Sequence, residues 1–142
     1  MAKLLRILLA VVLGFVVGSV VNMALIMISG NAIPPPDGAN VTTMEGLKAS
    51  THLFEPRHFL FPFLAHALGT FAGAVVAALI SPGRSATPAY IVGALFLLGG
   101  IVNAFLIPAP VWFVAVDLFL AYLPAAWLGV YLAQRLRPKG GV

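Results

Sequence analysis

The side chains able to do chemistry in this chain are few: three histidines, four carboxylates and no cysteine. Thiol catalysis, thiolate metal sites and disulfides are therefore excluded. Two of the titratable groups, His66 and Asp117, stand inside long apolar runs, as do Asn22 and Asn103. An aspartate near the middle of a membrane helix costs about 2.5–3.5 kcal/mol on insertion scales, so it must be paired, protonated or in contact with water. His66 is the one basic group at matching depth, and the sequence predicts an Asp117–His66 contact with Asn22 and Asn103 hydrogen-bonded around it. Such a cluster can exchange a proton or bind a small cation. It can equally be interhelical glue, typically contributing about 0.6–2 kcal/mol.

A second constellation lies where a polar loop runs into apolar sequence, at Glu55-Pro56-Arg57-His58. Glu55, His58 and the nearby His52 are read as the entrance to the cluster, because His58 and His66 are eight residues apart and can line one path inward. Glu-x-x-His also places both side chains on one helix face, as carboxylate-bridged metal sites require. Those sites normally use two copies and only one is present, so Glu55 and His58 are weak metal candidates. The plainer reading pairs Glu55 with Arg57 or Lys48 and leaves the histidines among lipid headgroups. The sequence specifies no cofactor. It contains no phosphate loop, nucleophile elbow, zincin motif or nucleic-acid module.

The elements that carry these residues follow from composition. Hydrophobic residues make up 61% and charged residues 8%, with a mean hydropathy of +1.06. A soluble domain has about a quarter of its residues charged. Here the apolar residues fall into blocks long enough to cross a bilayer, which takes about 20 residues. The sequence predicts four spans, at about 4–28, 58–80, 88–107 and 111–132. The first is too long for a signal peptide h-region of about 7–15 residues and reads as a retained span, with cleavage near Gly30-Asn31-Ala32 the lesser alternative. The outer loop, 29–57, opens with Pro34-Pro35-Pro36-Asp37-Gly38. Thr42-Thr43-Met44-Glu45 fits a capping box, with Thr42 as the cap of a short surface helix ending near Ser50. Asn40-Val41-Thr42 is formally a glycosylation sequon, a match too short to carry weight. Pro124, in the middle of the fourth span, predicts a kink and a freed carbonyl about one turn earlier.

Charge sets the expected orientation. The net charge of +4 does not point to nucleic acid, because the cations sit at the ends of apolar blocks. Lys3, Arg6, Arg84, Arg135, Arg137 and Lys139 fall on one side of an even-span chain, and Lys48 and Arg57 on the other. Both ends of the chain are therefore expected in the cytoplasm and the 29–57 loop outside, in a bacterial inner (plasma) membrane. Aromatic belts are expected at the outer boundary (Phe59, Phe61, Phe63, Trp112) and the inner one (Trp127, Tyr131).

Spacing within the spans sets depth and facing. At 1.5 Å per residue, Asn22, His66, Asn103 and Asp117 all lie roughly 7–12 Å below the outer ends of their spans. Small residues mark where membrane helices approach one another. Gly14, Gly18 and Asn22 form one stripe; Gly99 and Asn103 form another. His66, Thr70 and Gly73, with Gly69 beside them, mark the second span, and Asp117, Ala121, Ala125 and Gly129 the fourth. A V-N-x-x-L-I pattern at Val21–Ile26 and again at Val102–Ile107 suggests a parallel repeat in which His66 and Asp117 hold equivalent places.

The resulting expectation is a single all-α integral membrane domain over residues 1–142. It is a polytopic four-transmembrane-helix bundle with a short surface helix in the first outer loop. Its expected function is to bind or pass a proton or small cation through an outward-facing pocket, with His66 and Asp117 as the exchangeable groups. The alternatives are a membrane-embedded protein or enzyme for a lipid or quinone using the His–Asp pair, and an accessory subunit with no site of its own. Its expected partners are the lipid bilayer and either a second copy of the chain or another membrane subunit.

Overall fold

Glycine and alanine decide how this chain packs. The computed structural model describes residues 2–137, which hold no strand. Lys139 lies outside the described residues. The helices are α1 (Ala2–Ala32), α2 (Met44–Ser50), α3 (Leu60–Ile80), α4 (Thr87–Leu106), α5 (Val111–Leu120) and α6 (Leu123–Leu136), with 3-10 turns at Thr51–Leu53, Pro56–Phe59 and Pro82–Arg84. Four helical stretches are long and apolar enough to cross a membrane: Ala2–Ala32, Pro56–Ile80, Thr87–Leu106 and Val111–Leu136. The first is longer than the sequence pattern suggests, continuing through Ser29-Gly30-Asn31-Ala32 before the proline run stops it.

Helix α3 is central and contacts α1, α4 and α6. Its crossing with α1 is backbone against backbone. A Cβ at Gly14 would fall 2.6 Å from the Gly73 carbonyl oxygen, and one at Gly18 would fall 2.6 Å from that of Gly69. The opposing glycines are as tight, 2.6 Å at Gly73 and 2.8 Å at Gly69. Contact this close recruits dispersion and Cα–H···O attraction between the two backbones. Alanine does the same work between α3, α4 and α6, where Ala74, Ala77, Ala89, Val92 and Ala126 are wholly buried. Gly129 completes this seam, 2.8 Å from the Phe71 carbonyl oxygen by the same measure.

Two arginines close the end opposite the polar loop. Arg137, just past α6, donates to the carbonyls of Leu79 and Ser81 at the end of α3. Arg84, just past α3, donates 2.7 Å to the carbonyl of Gln134 near the end of α6. Each guanidinium thus satisfies carbonyls the other helix leaves without an intrahelical partner, at its negative pole. Arg84 adopts φ 59° directly after Gly83 at φ 61°; the turn needs both residues in the left-handed region.

The short helix α2 is capped one residue later than the sequence pattern suggests. Asn40 Oδ1 takes both the backbone N–H (3.0 Å) and the hydroxyl (2.7 Å) of Thr42. Thr43 is therefore the cap, accepting from the Gly46 N–H at 3.0 Å. An Asx turn has outcompeted the predicted box.

Candidate functional site

The site forms where α3, α4 and the α5–α6 break meet. His66 lies six residues into α3, and Asp117 six residues into α5, so each is about 9 Å from the start of its helix. Their side chains meet: His66 Nδ1 is 2.8 Å from Asp117 Oδ1. Asp117 is buried, with 6% of its side chain exposed against 17% for His66.

A third residue, absent from the sequence reading, completes the cluster. The Tyr122 hydroxyl donates 2.8 Å to Asp117 Oδ2 and lies 3.0 Å from His66 Nδ1. Its ring stacks on the imidazole at 5.6 Å and 30°, and the residue is 1% exposed. Five residues apart on a straight helix, Asp117 and Tyr122 would point about 140° from each other. The fourth span breaks at Ala121–Tyr122, where Tyr122 takes ψ −78° as the cap of α6. The cause is Pro124, which has no N–H to offer Leu120 and crowds the preceding turn. The kink was legible in the sequence, and so was a polar aromatic two residues before the proline. Their combination was the missing signal. Gly100 on α4 leaves room for the ring, since a Cβ there would overlap the Tyr122 hydroxyl.

Proton placement follows from the network. With the tyrosine proton on Asp117 Oδ2, the phenolic oxygen can only accept from His66. Nδ1–H then donates to Asp117 Oδ1 and leans toward that oxygen. The carboxylate receives a donor on each oxygen, and Nε2 keeps its lone pair with no hydrogen-bond partner among the described residues. One imidazole nitrogen is fixed and the other is presented, the arrangement that suits a histidine for taking up and giving back a proton.

The asparagines do not join this network. Asn22 is half-buried against Gly69, one turn of α3 away from His66, and its side chain makes no hydrogen bond among the described residues. Asn103 is exposed, and the neighbouring Gly99 faces open space where a Cβ would meet nothing. The expected ring of four polar side chains is thus corrected to a pair plus Tyr122. The expected repeat is corrected with it. Gly18 is locked against Gly69, whereas its counterpart Gly99 packs on nothing, so the two V-N-x-x-L-I segments occupy different environments.

The entrance residues separate as well. Glu55 is exposed and pairs with Arg57 at 3.0 Å. His58 is buried, and its Nδ1 accepts the Glu55 backbone N–H at 2.9 Å, while the Glu55 side chain caps the backbone at His58. The Glu-x-x-His spacing is a capping device for the Pro56–Phe59 turn rather than a shared ligand face. His52 is exposed. Among the described residues no three His, Asp or Glu side chains gather as a metal would need. His58 does line a cavity of about 360 Å³ with Arg57, Asp37 and the Pro34–Pro36 run. Around the turn, Phe54, Phe59, Trp112 and Phe113 pack ring on ring at 4.7–6.2 Å.

Comparison with protein-family models, curated proteins and solved structures found no match; the arrangement of side chains is the basis for any functional reading.

Proposed function

We propose that the chain is an integral membrane protein whose four apolar helices cross a bilayer as a bundle, with both ends cytoplasmic and α2 on the outer surface, and that it binds and exchanges a proton at His66 from the outer side. The observation that carries this reading is the held imidazole, with Nδ1 fixed by Asp117 and Tyr122 and Nε2 without a partner. With His66 neutral and Asp117 ionised, the cluster carries one negative charge in hydrocarbon. A proton arriving at Nε2 makes it a neutral ion pair, which lowers the cost of burial. The donor set favours a proton over a metal ion, since a cation would find one imidazole lone pair and a carboxylate already occupied by two donors.

The entrance is the cavity at Arg57, His58 and Asp37. His66 does not line it, so passage from cavity to cluster requires movement of the aromatic turn around Phe59. A single bundle of this size leaves little room for a pore, and the open face of α4 at Gly99 and Asn103 suits a second copy. The experiment is reconstitution into liposomes carrying a pH-sensitive dye. The wild-type protein is expected to dissipate an imposed pH gradient, His66→Gln to abolish this, and Asp117→Asn to slow it at least about tenfold. If the variants lose thermal stability while the wild type moves no protons, the cluster is structural glue.

One observation favours a second reading. Nε2 has no hydrogen-bond partner among the described residues and Asp117 holds the other ring nitrogen, which suits acid–base work on a quinone or lipid headgroup arriving between helices. Saturable quenching of Trp112 by a soluble quinone, lost in His66→Gln, would select it over proton passage.

A further inference from the structure

The opposite end of the molecule holds a second and larger cavity, about 640 Å³, between the first turns of α1 and the turn joining α3 to α4. Lys3 and Arg6, three residues apart and so on one face of α1, line it together with Ile7 and Pro82, which are apolar, and Ser85 and Thr87, which carry hydroxyls. The Ser85 hydroxyl donates 3.1 Å to Thr87 Oγ1 and accepts the Thr87 backbone N–H at 3.3 Å. Thr87 Oγ1 thereby accepts one hydrogen bond, and its own hydrogen is left to donate.

The charge balance here is one-sided. The four Asp and Glu side chains are accounted for elsewhere: Asp37, Glu45 and Glu55 belong to the loop at the far end, and Asp117 belongs to the His66 cluster. Among the described residues neither Lys3 nor Arg6 has a carboxylate partner. Two cations without a carboxylate partner among the described residues, lining a cavity with an apolar wall and a hydroxyl donor, fit an anion that brings its own apolar body.

We infer that the cavity bounded by Lys3, Arg6, Ser85 and Thr87 binds a phosphate-bearing anion, supplied by the headgroup of an anionic phospholipid. Arg6 offers the planar fork suited to phosphate oxygens and Lys3 a point charge beside it, while Ile7 and Pro82 take the start of an acyl chain. This inference stands apart from the His66 proposal and survives its failure.

The test is retention of lipid by purified protein in nanodiscs and detergent, read by native mass spectrometry after exchange into equal mixtures of phosphatidylglycerol and phosphatidylcholine. Wild-type protein is expected to retain phosphatidylglycerol preferentially. Arg6→Gln is expected to cut the preference about five-fold, the worth of one cation at an anionic surface, and Lys3→Gln/Arg6→Gln to abolish it. Arg135→Gln removes the same charge from the same end but outside the cavity, beside Tyr131, and is expected to leave the preference unchanged. Equal losses in Arg6→Gln and Arg135→Gln, or no preference in the wild type, would overturn the inference. Competition by millimolar inorganic phosphate at constant ionic strength would overturn the lipid source and make the ligand free phosphate.

Discussion

At the scale of single residues, the consequential feature is that three side chains share two protons around one carboxylate. Removing the tyrosine hydroxyl leaves Asp117 Oδ2 buried without its donor. Tyr122→Phe is therefore expected to destabilise the protein by about 1–3 kcal/mol, the range for an orphaned buried acceptor. Chemical unfolding in detergent micelles measures this, and His66→Gln made with and without Asp117→Asn should give a coupling of about 0.5–3 kcal/mol. His66 and Asp117 were legible in the sequence because a charge in hydrocarbon has few ways to exist and only one base lay level with it. Tyr122 was not, because periodicity assigns it the wrong face until the helix breaks. Asn103 misled for the opposite reason: a carboxamide near a helix end tolerates an exposed position on an apolar helix that an aspartate does not.

At the scale of elements, glycine spacing positions the cluster. Gly99 and Gly100 are neighbours with opposite duties. A methyl group at Gly100 meets the Tyr122 hydroxyl, and one at Gly99 meets nothing. Gly100→Ala is expected to cost about 1–3 kcal/mol, as overpacking does, and to impair proton exchange without altering a titratable group. Gly99→Ala should remain within about 0.5 kcal/mol of wild type. Thermal melts of both, beside the liposome assay, check the pair. The small-residue stripes of α1 and α3 were legible because close approach is the main attraction available to apolar helices in lipid. Which stripe met which partner was not legible, since Gly18 and Gly99 sit in near-identical local sequence. The reciprocal arginine caps also escaped sequence reading. Positive charges at span ends read first as topology signals, and only the packed helices reveal that Arg137 reaches the end of α3. Arg137→Gln, which removes a charged donor to two carbonyls, should cost about 1.5–3 kcal/mol.

At the scale of the whole molecule, charge is divided as sharply as hydropathy. The acidic side chains lie toward the loop end and within the site, and among the described residues Lys3, Arg6, Arg84, Arg135 and Arg137 lie at the other end. This division underlies both the proposed orientation and the lipid inference. Because the chain has no cysteine, single cysteines report sidedness cleanly. In intact cells Ala39→Cys is expected to react with an impermeant maleimide, and Gln134→Cys only after lysis. Labelling of both from outside would remove the even-span orientation.

The central claim is that His66 takes its proton from the outer side, and one spectroscopic titration addresses it most directly. In proteoliposomes of a single orientation with a strongly buffered lumen, ¹⁵N NMR of labelled histidine follows the ring nitrogens as external pH alone is lowered. His66, assigned by its loss in His66→Gln, is expected to change from a neutral ring protonated on Nδ1 to an imidazolium as the outside acidifies. A ring that stays neutral throughout, or that answers only when the lumen is acidified, would contradict the account.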